Sequence, residues 1–318
     1  MSIATADQIE VRAIATRVRR YGTLNVLICA GQVVGWAVLI SLLHVPGTLA
    51  WKIPVGILFC LMMQGVFSML HECIHGHGHP SPLVNRLLGV ITGTIFGTAY
   101  TLFRINHEGH HVRNRSPAET AEYILPGEST GRKVFLYYFA ILGGIWLGAL
   151  IASVLLPFAP YSLAAKLNRP ARSMNGYSLS FAQFSRKDWT SLRLEAAIGL
   201  LAWCAAIRWL NWDLRTLAVL YAAFAFSWSS LQWIYHMRTP LDPVEGAYDL
   251  RAPWLVRILF LNFNYNLTHH RRPDLPWQEM HRIVNRMETQ PLWYRYLLVF
   301  KCPEPMPADP AAIRKTYF

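Results

Sequence analysis

Residues 24–43 read LNVLICAGQVVGWAVLISLL, a stretch without a charged side chain. At the rise of an α-helix, about 20 such residues cross the hydrocarbon core of a bilayer. A backbone group in that core finds no water to bond, so such a run must satisfy its own N–H and C=O groups as a helix. Further runs occupy residues 53–70, 134–158 and 214–233, with a shorter one at 196–210. Their apolar weight leaves only 15% of the chain charged, where a soluble domain carries about 25%. Twelve Trp and fourteen Tyr are suited to anchoring at two membrane–water interfaces. The expected fold class is all-α: an integral-membrane helical bundle of about four full spans plus re-entrant or interfacial helices. A histidine-lined cytoplasmic cap completes it, formed by residues 237–318, which are polar, basic and proline-rich. No internal repeat divides the chain, so residues 1–318 read as a single domain.

Orientation follows from the basic residues. Arg12, Arg17, Arg19 and Arg20 precede the first run, which puts that end in the cytoplasm. A short turn then pairs runs 24–43 and 53–70 in a hairpin that returns His71 to the same side. The net charge of +12 is thereby read as a membrane signal. No basic helix or binding module points to nucleic acid. Nothing at the N-terminus has the form of a cleaved signal peptide. The five cysteines, Cys29, Cys60, Cys73, Cys204 and Cys302, show neither CxxC spacing nor a disulfide framework.

If the histidines near 110 and near 270 share a compartment, the chain crosses an even number of times between them. Three runs lie in that interval, so one fails to cross. The stretch from Lys166 to Arg193 carries six Lys/Arg and belongs in the cytoplasm. That makes 134–158 the re-entrant run, broken near Gly143 and Gly144; the other solution is that 196–210, with Arg208, does not cross. Gly89, Gly93 and Gly97 recur every fourth residue and bare one helical face for close contact with another helix.

The histidines carry the chemistry. HECIH places His71 and His75 four apart; HEGHH places His107, His110 and His111 at separations of three and four; NLTHH repeats that pattern with Asn266, His269 and His270. On a helix each set stands on one face. His236 ends the last run. Convergent neutral imidazoles suit iron, copper, zinc or nickel, and eight are too many for one ion but right for two. His44 and His281 belong to no cluster and read as packing residues. His77 and His79 extend the first group, but the helical pair is already made by His71 and His75.

Three such clusters after apolar runs resemble the integral-membrane fatty acid desaturase and hydroxylase superfamily, whose three histidine boxes read HxxxH or HxxxxH, then HxxHH twice. The RRPDLPW stretch after the third cluster is similar to the family's continuation. The likeness spans His71 to His270. It implies a non-haem di-iron centre that uses O2 against an unactivated C–H bond of a lipid. It carries the ligand role onto His71, His75, His107, His110, His111, His269 and His270, with His236 as the additional ligand near the end of the last span. Asn266 stands where most members have a histidine, and could bind metal through its amide oxygen, directly or through water. Glu72 and Glu108, inside the boxes, are candidate hydrogen-bond partners of the ligands, a solvated carboxylate being the other reading.

A fatty acid desaturase is the expected activity. Hydroxylation, ketolation of a carotenoid ring and decarboxylation of a fatty acid to a terminal alkene stay open on the same site. No HPGG motif, CxxC pair or GxGxxG fingerprint supplies electrons in this chain, so a ferredoxin, rubredoxin or cytochrome-type donor is expected from outside, and a bacterial inner membrane as the home. A membrane metal transporter would line its spans with ligands, and here the histidines gather beyond the span ends. HECIH also matches the HExxH of zinc hydrolases, a mechanism that leaves the other two clusters without a role.

Overall fold

The structure, a computed structural model, describes residues 6–167 and 184–309. Residues 168–183 of the basic loop and 310–318 of the cap lie outside the described residues. The helices are α1 (Ala6–His44), α2 (Leu49–Ile74), α3 (Pro82–Phe96), α4 (Tyr100–Arg113), α5 (Thr130–Phe139), α6 (Ile145–Leu155), α7 (Ser162–Leu167), α8 (Arg186–Trp209), α9 (Leu214–Trp233), α10 (Trp254–Leu259), α11 (Asn266–Arg271), α12 (Trp277–Met280) and α13 (Leu292–Leu298). Two-residue strands, β1 (Tyr123–Ile124) and β2 (Glu304–Pro305), pair in parallel. The chain is an all-α membrane bundle. Among the described residues five segments are long and apolar enough to cross a bilayer: Val18–His44, Leu49–Ile74, Thr130–Phe158, Arg186–Trp209 and Leu214–Trp233. They are the five expected runs, each but the last extended by polar residues that the helix recruits at its ends. In α8, for example, Ser185 and Asp188 form a reciprocal capping box that starts the helix ten residues before its apolar stretch.

Contacts between helix ends define the two ends of the bundle. At the distal end the His44 ring accepts from the Asp213 N–H (2.8 Å) and Trp212 donates to Ser41 (3.0 Å). The α1–α2 and α8–α9 turns are therefore neighbours, and run 196–210 traverses the bundle as part of α8. The segment Thr130–Phe158 begins and ends near the opposite, histidine-bearing end. Tyr138 donates to the Phe300 carbonyl of the cap (3.0 Å), while Arg193 in the second turn of α8 donates to the carbonyls of Pro157 and Ala159 (both 2.8 Å). Between α5 and α6 the helix widens over Ala140–Gly144, and Gly143 sits at φ 127, a conformation that excludes most side chains. The helix is interrupted there, beside Gly144.

The glycine spacing of Gly89, Gly93 and Gly97 predicts one continuous packing face; the chain instead turns by 94° between α3 and α4. Gly97, at φ 96, ends α3 in a left-handed cap. The glycine stripe does bare a face, but its neighbour is the chain's own next helix: a β-carbon on Gly89 would meet the Tyr100 ring at 2.5 Å. A helix ending inside a bilayer leaves its last carbonyls unsatisfied. Here three aromatic donors reach them: Trp203 to Thr94 (2.9 Å), Tyr221 to Ile95 (2.9 Å) and Trp146 to Phe96 (2.7 Å). Packing in this layer is aromatic. Phe67 meets Trp228 at 5.1 Å, Phe263 at 5.0 Å and both Phe96 and Phe103 at 5.8 Å between ring centroids. Lipid is as apolar as the core, so such shape-specific contacts hold the helices together better than burial alone.

Candidate metal centre

The last turn of α2 presents His71, and His75 follows as its C-cap, the two ring centroids 4.8 Å apart. Helix α4 comes back from the 94° turn with His107, His110 and His111, and α11 delivers His269 and His270. These elements meet at one end of the bundle and sort the rings into two groups. His71, His75, His107, His111 and His269 form one; His110, His236 and His270 form the other. Within each group one ring nitrogen per residue lies within 4.8 Å of all the rest. The Nε2 atoms of His75 and His107 are 3.0 Å apart, those of His107 and His111 3.1 Å, and those of His111 and His269 3.0 Å. Two imidazole nitrogens bound at right angles at about 2.1 Å would stand about 3.0 Å apart, so the spacing fits a shared cation.

In the second group two of the other ring nitrogens are held by the protein. His110 donates its Nδ1–H to Glu119 (2.6 Å), and His236 donates its Nδ1–H to the Gly246 carbonyl (2.9 Å). Each bond fixes the tautomer that leaves Nε2 free as a ligand. Asp249 accepts from the Thr268 N–H (2.9 Å) and hydroxyl (2.7 Å), which anchors the first turn of α11. The segment after α4 grips the His236 turn. Asn114 donates to the carbonyls of Pro243 (2.9 Å) and Gly246 (3.1 Å). The fully buried Arg115 pairs with Glu122 (2.6 Å), and Glu122 accepts from the Arg238 N–H (2.8 Å).

The buried atoms without a hydrogen-bond partner among the described residues include Nε2 of His71, Nε2 of His270 and Oδ1 of Asn266. An orphaned acceptor of this kind costs about 1–3 kcal/mol, and a cation would satisfy it. Burial, and then the neighbouring rings, lower the pKa of His75, His236, His269 and His270 well below that of a free imidazole. The rings are thus kept neutral, the form that binds a metal. The donor set and the orphaned atoms fit a pair of ions that favour nitrogen ligands. A cavity of about 730 Å³ reaches His75 from the side of Arg86, Tyr100 and Lys187, a size suited to a small-molecule ligand.

The seven histidines singled out by spacing, and His236, which the resemblance added, all lie in these groups. His77 and His79 stand outside both; His79 instead accepts from the Ser81 N–H (3.0 Å). His44 is a packing residue that also bonds the Ile40 carbonyl (2.8 Å), and His281 is exposed. Glu72 is buried and accepts from the Trp277 N–H (3.1 Å), with His71 Nδ1 at 3.9 Å. It ties the first histidine cluster to the segment after the third. For Glu108 the structure favours the other of the two readings, the solvated carboxylate: it sits one residue from His107 and so about 100° around the helix, exposed and paired with Arg104 (2.9 Å). The carboxylate that does bond one of the clustered rings is Glu119, at His110, which no local spacing marked, and Asp249 and the Gly246 carbonyl were equally unmarked.

The family profile described as fatty acid desaturase matches residues 49–301, which contain every histidine of the two groups. A curated relative, the endoplasmic reticulum omega-3 fatty acid desaturase of Nicotiana tabacum, is 26% identical over 217 residues, covering 68% of this chain and 48% of that protein. The chain thus aligns with about half the length of this relative.

Proposed function

We propose, from the premise that the chain belongs to the fatty acid desaturase family, that it is an oxidoreductase acting on a C–H bond of a fatty acyl lipid with two iron ions and O2. The observation that carries this reading is the convergence of eight imidazoles into two partly buried groups with unpaired ring nitrogens. His71, His75, His107, His111 and His269 would hold one ion, and His110, His236 and His270 the other. When bound, the iron pair supplies the O2 activation that no side chain can provide. Glu119 and the Gly246 carbonyl orient their ligand rings, and Glu72 and Asp249 fix the segments that carry the others. The Asn266 amide, buried with a free oxygen, completes the set as a ligand or as the seat of a bound water. Phe67 and Phe263 pack against His71, at 6.3 and 5.1 Å between centroids, and exclude water from that side.

Desaturation is the preferred reaction; hydroxylation, ketolation and decarboxylation differ from it in where the carbon chain stops relative to the ions. A histidine set gathered at one end of the bundle favours an enzyme over a metal transporter, whose ligands would follow a path through the spans. With α1, α2, α8 and α9 as the four spans and α3–α4 and α5–α6 both returning to the histidine side, the basic residues before α1 favour a cytoplasmic centre, and a bacterial inner membrane is the preferred home. There the basic surface would meet an acidic ferredoxin, rubredoxin or cytochrome-type donor.

The test is mass spectrometry of lipids and volatile products from a host expressing the chain, beside a His269→Ala control. Acyl chains two hydrogens lighter, absent from the control, are expected. An added oxygen or an alkene one carbon shorter would reassign the reaction within the site. Identical profiles in both hosts, with iron bound in the wild type, would refute a common acyl lipid as substrate.

A further inference from the structure

A second cavity, of about 1400 Å³, runs along the outside of the bundle between α2 and α9 and is closed at one end by α10 and α13. Its walls are apolar, with Ile53, Ile57 and Val219 among the residues left more than half exposed by the protein. From Lys52 to Gln64 it follows α2 for about 18 Å at 1.5 Å per residue, longer than half of a hydrocarbon core of about 30 Å. The groove is therefore deep enough for the tails of a lipid from one leaflet.

Its distal end carries charge. Lys52, in the first turn of α2, and Arg215, in the first turn of α9, both line the groove. Among the described residues neither side chain has a carboxylate partner. The nearby Asp213 already accepts from the N–H groups of Arg215 (3.0 Å) and Thr216 (2.9 Å). Cations on two different helices, facing one apolar slot at headgroup depth, form a basic pocket of the kind that recognises a lipid phosphate. Such a pair also runs against the general preference for cations on the cytoplasmic side, so orientation does not account for it.

We infer that this groove binds one anionic diacyl phospholipid, its phosphate between Lys52 and Arg215 and its tails along α2 and α9 toward the cap. The site lies apart from both histidine groups and does not depend on the oxidoreductase reading.

The test uses the full chain, purified in mild detergent, stripped of lipid and titrated with phosphatidylglycerol or phosphatidylcholine under native mass spectrometry. The wild type is expected to retain one phosphatidylglycerol per chain in preference to phosphatidylcholine. In the K52Q/R215Q double variant retention should fall about 10- to 30-fold, two phosphate attractions of about 1 kcal/mol each being removed. An R208Q control, altered outside the groove, should bind as the wild type does. Metal content should match across all three proteins, which separates failure of the lipid site from failure of the metal centre. Equal retention by the double variant, no preference for the anionic lipid, or loss of retention only in R251Q, at the cap end of the groove, would overturn the assignment. So would a cross-linked dimer with a second copy of the chain seated in the groove.

Discussion

Replacing Glu119 by Gln tests whether the two histidine groups are separate sites. The carboxylate lies 2.6 Å from His110 Nδ1 and 3.2 Å from the Arg113 guanidinium, and is itself only 16% exposed. Glutamine keeps the volume and an acceptor oxygen but removes the charge that makes this bond strong. It also allows the amide to turn its NH2 toward the ring, which would favour the tautomer that blocks Nε2. Loss of such an orienting partner typically lowers metal affinity about 10- to 100-fold, or about 1.4–2.7 kcal/mol. No other ligand touches Glu119 among the described contacts, so the cost should fall on the His110, His236 and His270 group alone. Chelator competition followed by iron analysis should show one ion per chain released at 10- to 100-fold lower chelator and the other unchanged. Equal weakening of both ions would refute independent sites, and no weakening would refute the orienting role.

Three further outcomes follow from the same contacts. Tyr221→Phe removes the donor to the Ile95 carbonyl, where α3 ends away from water, at a cost of about 1–3 kcal/mol. The helical signal should be lost at lower SDS in the variant, and an unchanged transition would show that the carbonyl finds another partner. The pH dependence of the metal-free protein has a definite sign. Unfolded imidazoles titrate near pH 6.5, and those of His75, His236, His269 and His270 are held lower by burial in the folded state. Below about pH 6.5 the unfolded chain then binds more protons, so stability is full above that pH and falls as the pH drops. A thermal midpoint that rises between pH 7.5 and 5.5 would contradict this. Glu108→Gln, on the outer face of α4, should leave iron content unchanged and shift stability by no more than about 0.5 kcal/mol. A variant short of iron would restore Glu108 to the centre.

The histidines were legible because their chemistry is local. Spacings of three and four put rings on one helical face whatever the rest of the fold does, and apolar runs of bilayer length announce the helices that carry them. Gly143 was legible as a break because paired glycines interrupt an otherwise uniform run. The turn at Gly97 was not, since glycines repeating every fourth residue read equally well as an uninterrupted packing face. What stops α3 there is long-range: Trp146, Tyr221 and Trp203 come from three other helices to receive its last carbonyls. Glu119 escaped for a related reason. It follows His110 by nine residues through an irregular segment, including Arg115 at φ 62, and no helical spacing connects them. Glu108, by contrast, was adjacent in sequence and distant in direction. Neighbourhood within a histidine box is a poor guide to second partners, because adjacent helical residues point about 100° apart.

Metal analysis of purified wild type, His75→Ala and His236→Ala bears most directly on the proposal that two ions occupy two distinct imidazole groups. The account predicts two irons per chain in the wild type. It predicts one in His236→Ala, held by the five-histidine group, and one in His75→Ala, held by the group of three. A single ion in the wild type, or a His236→Ala protein that keeps both, would contradict it.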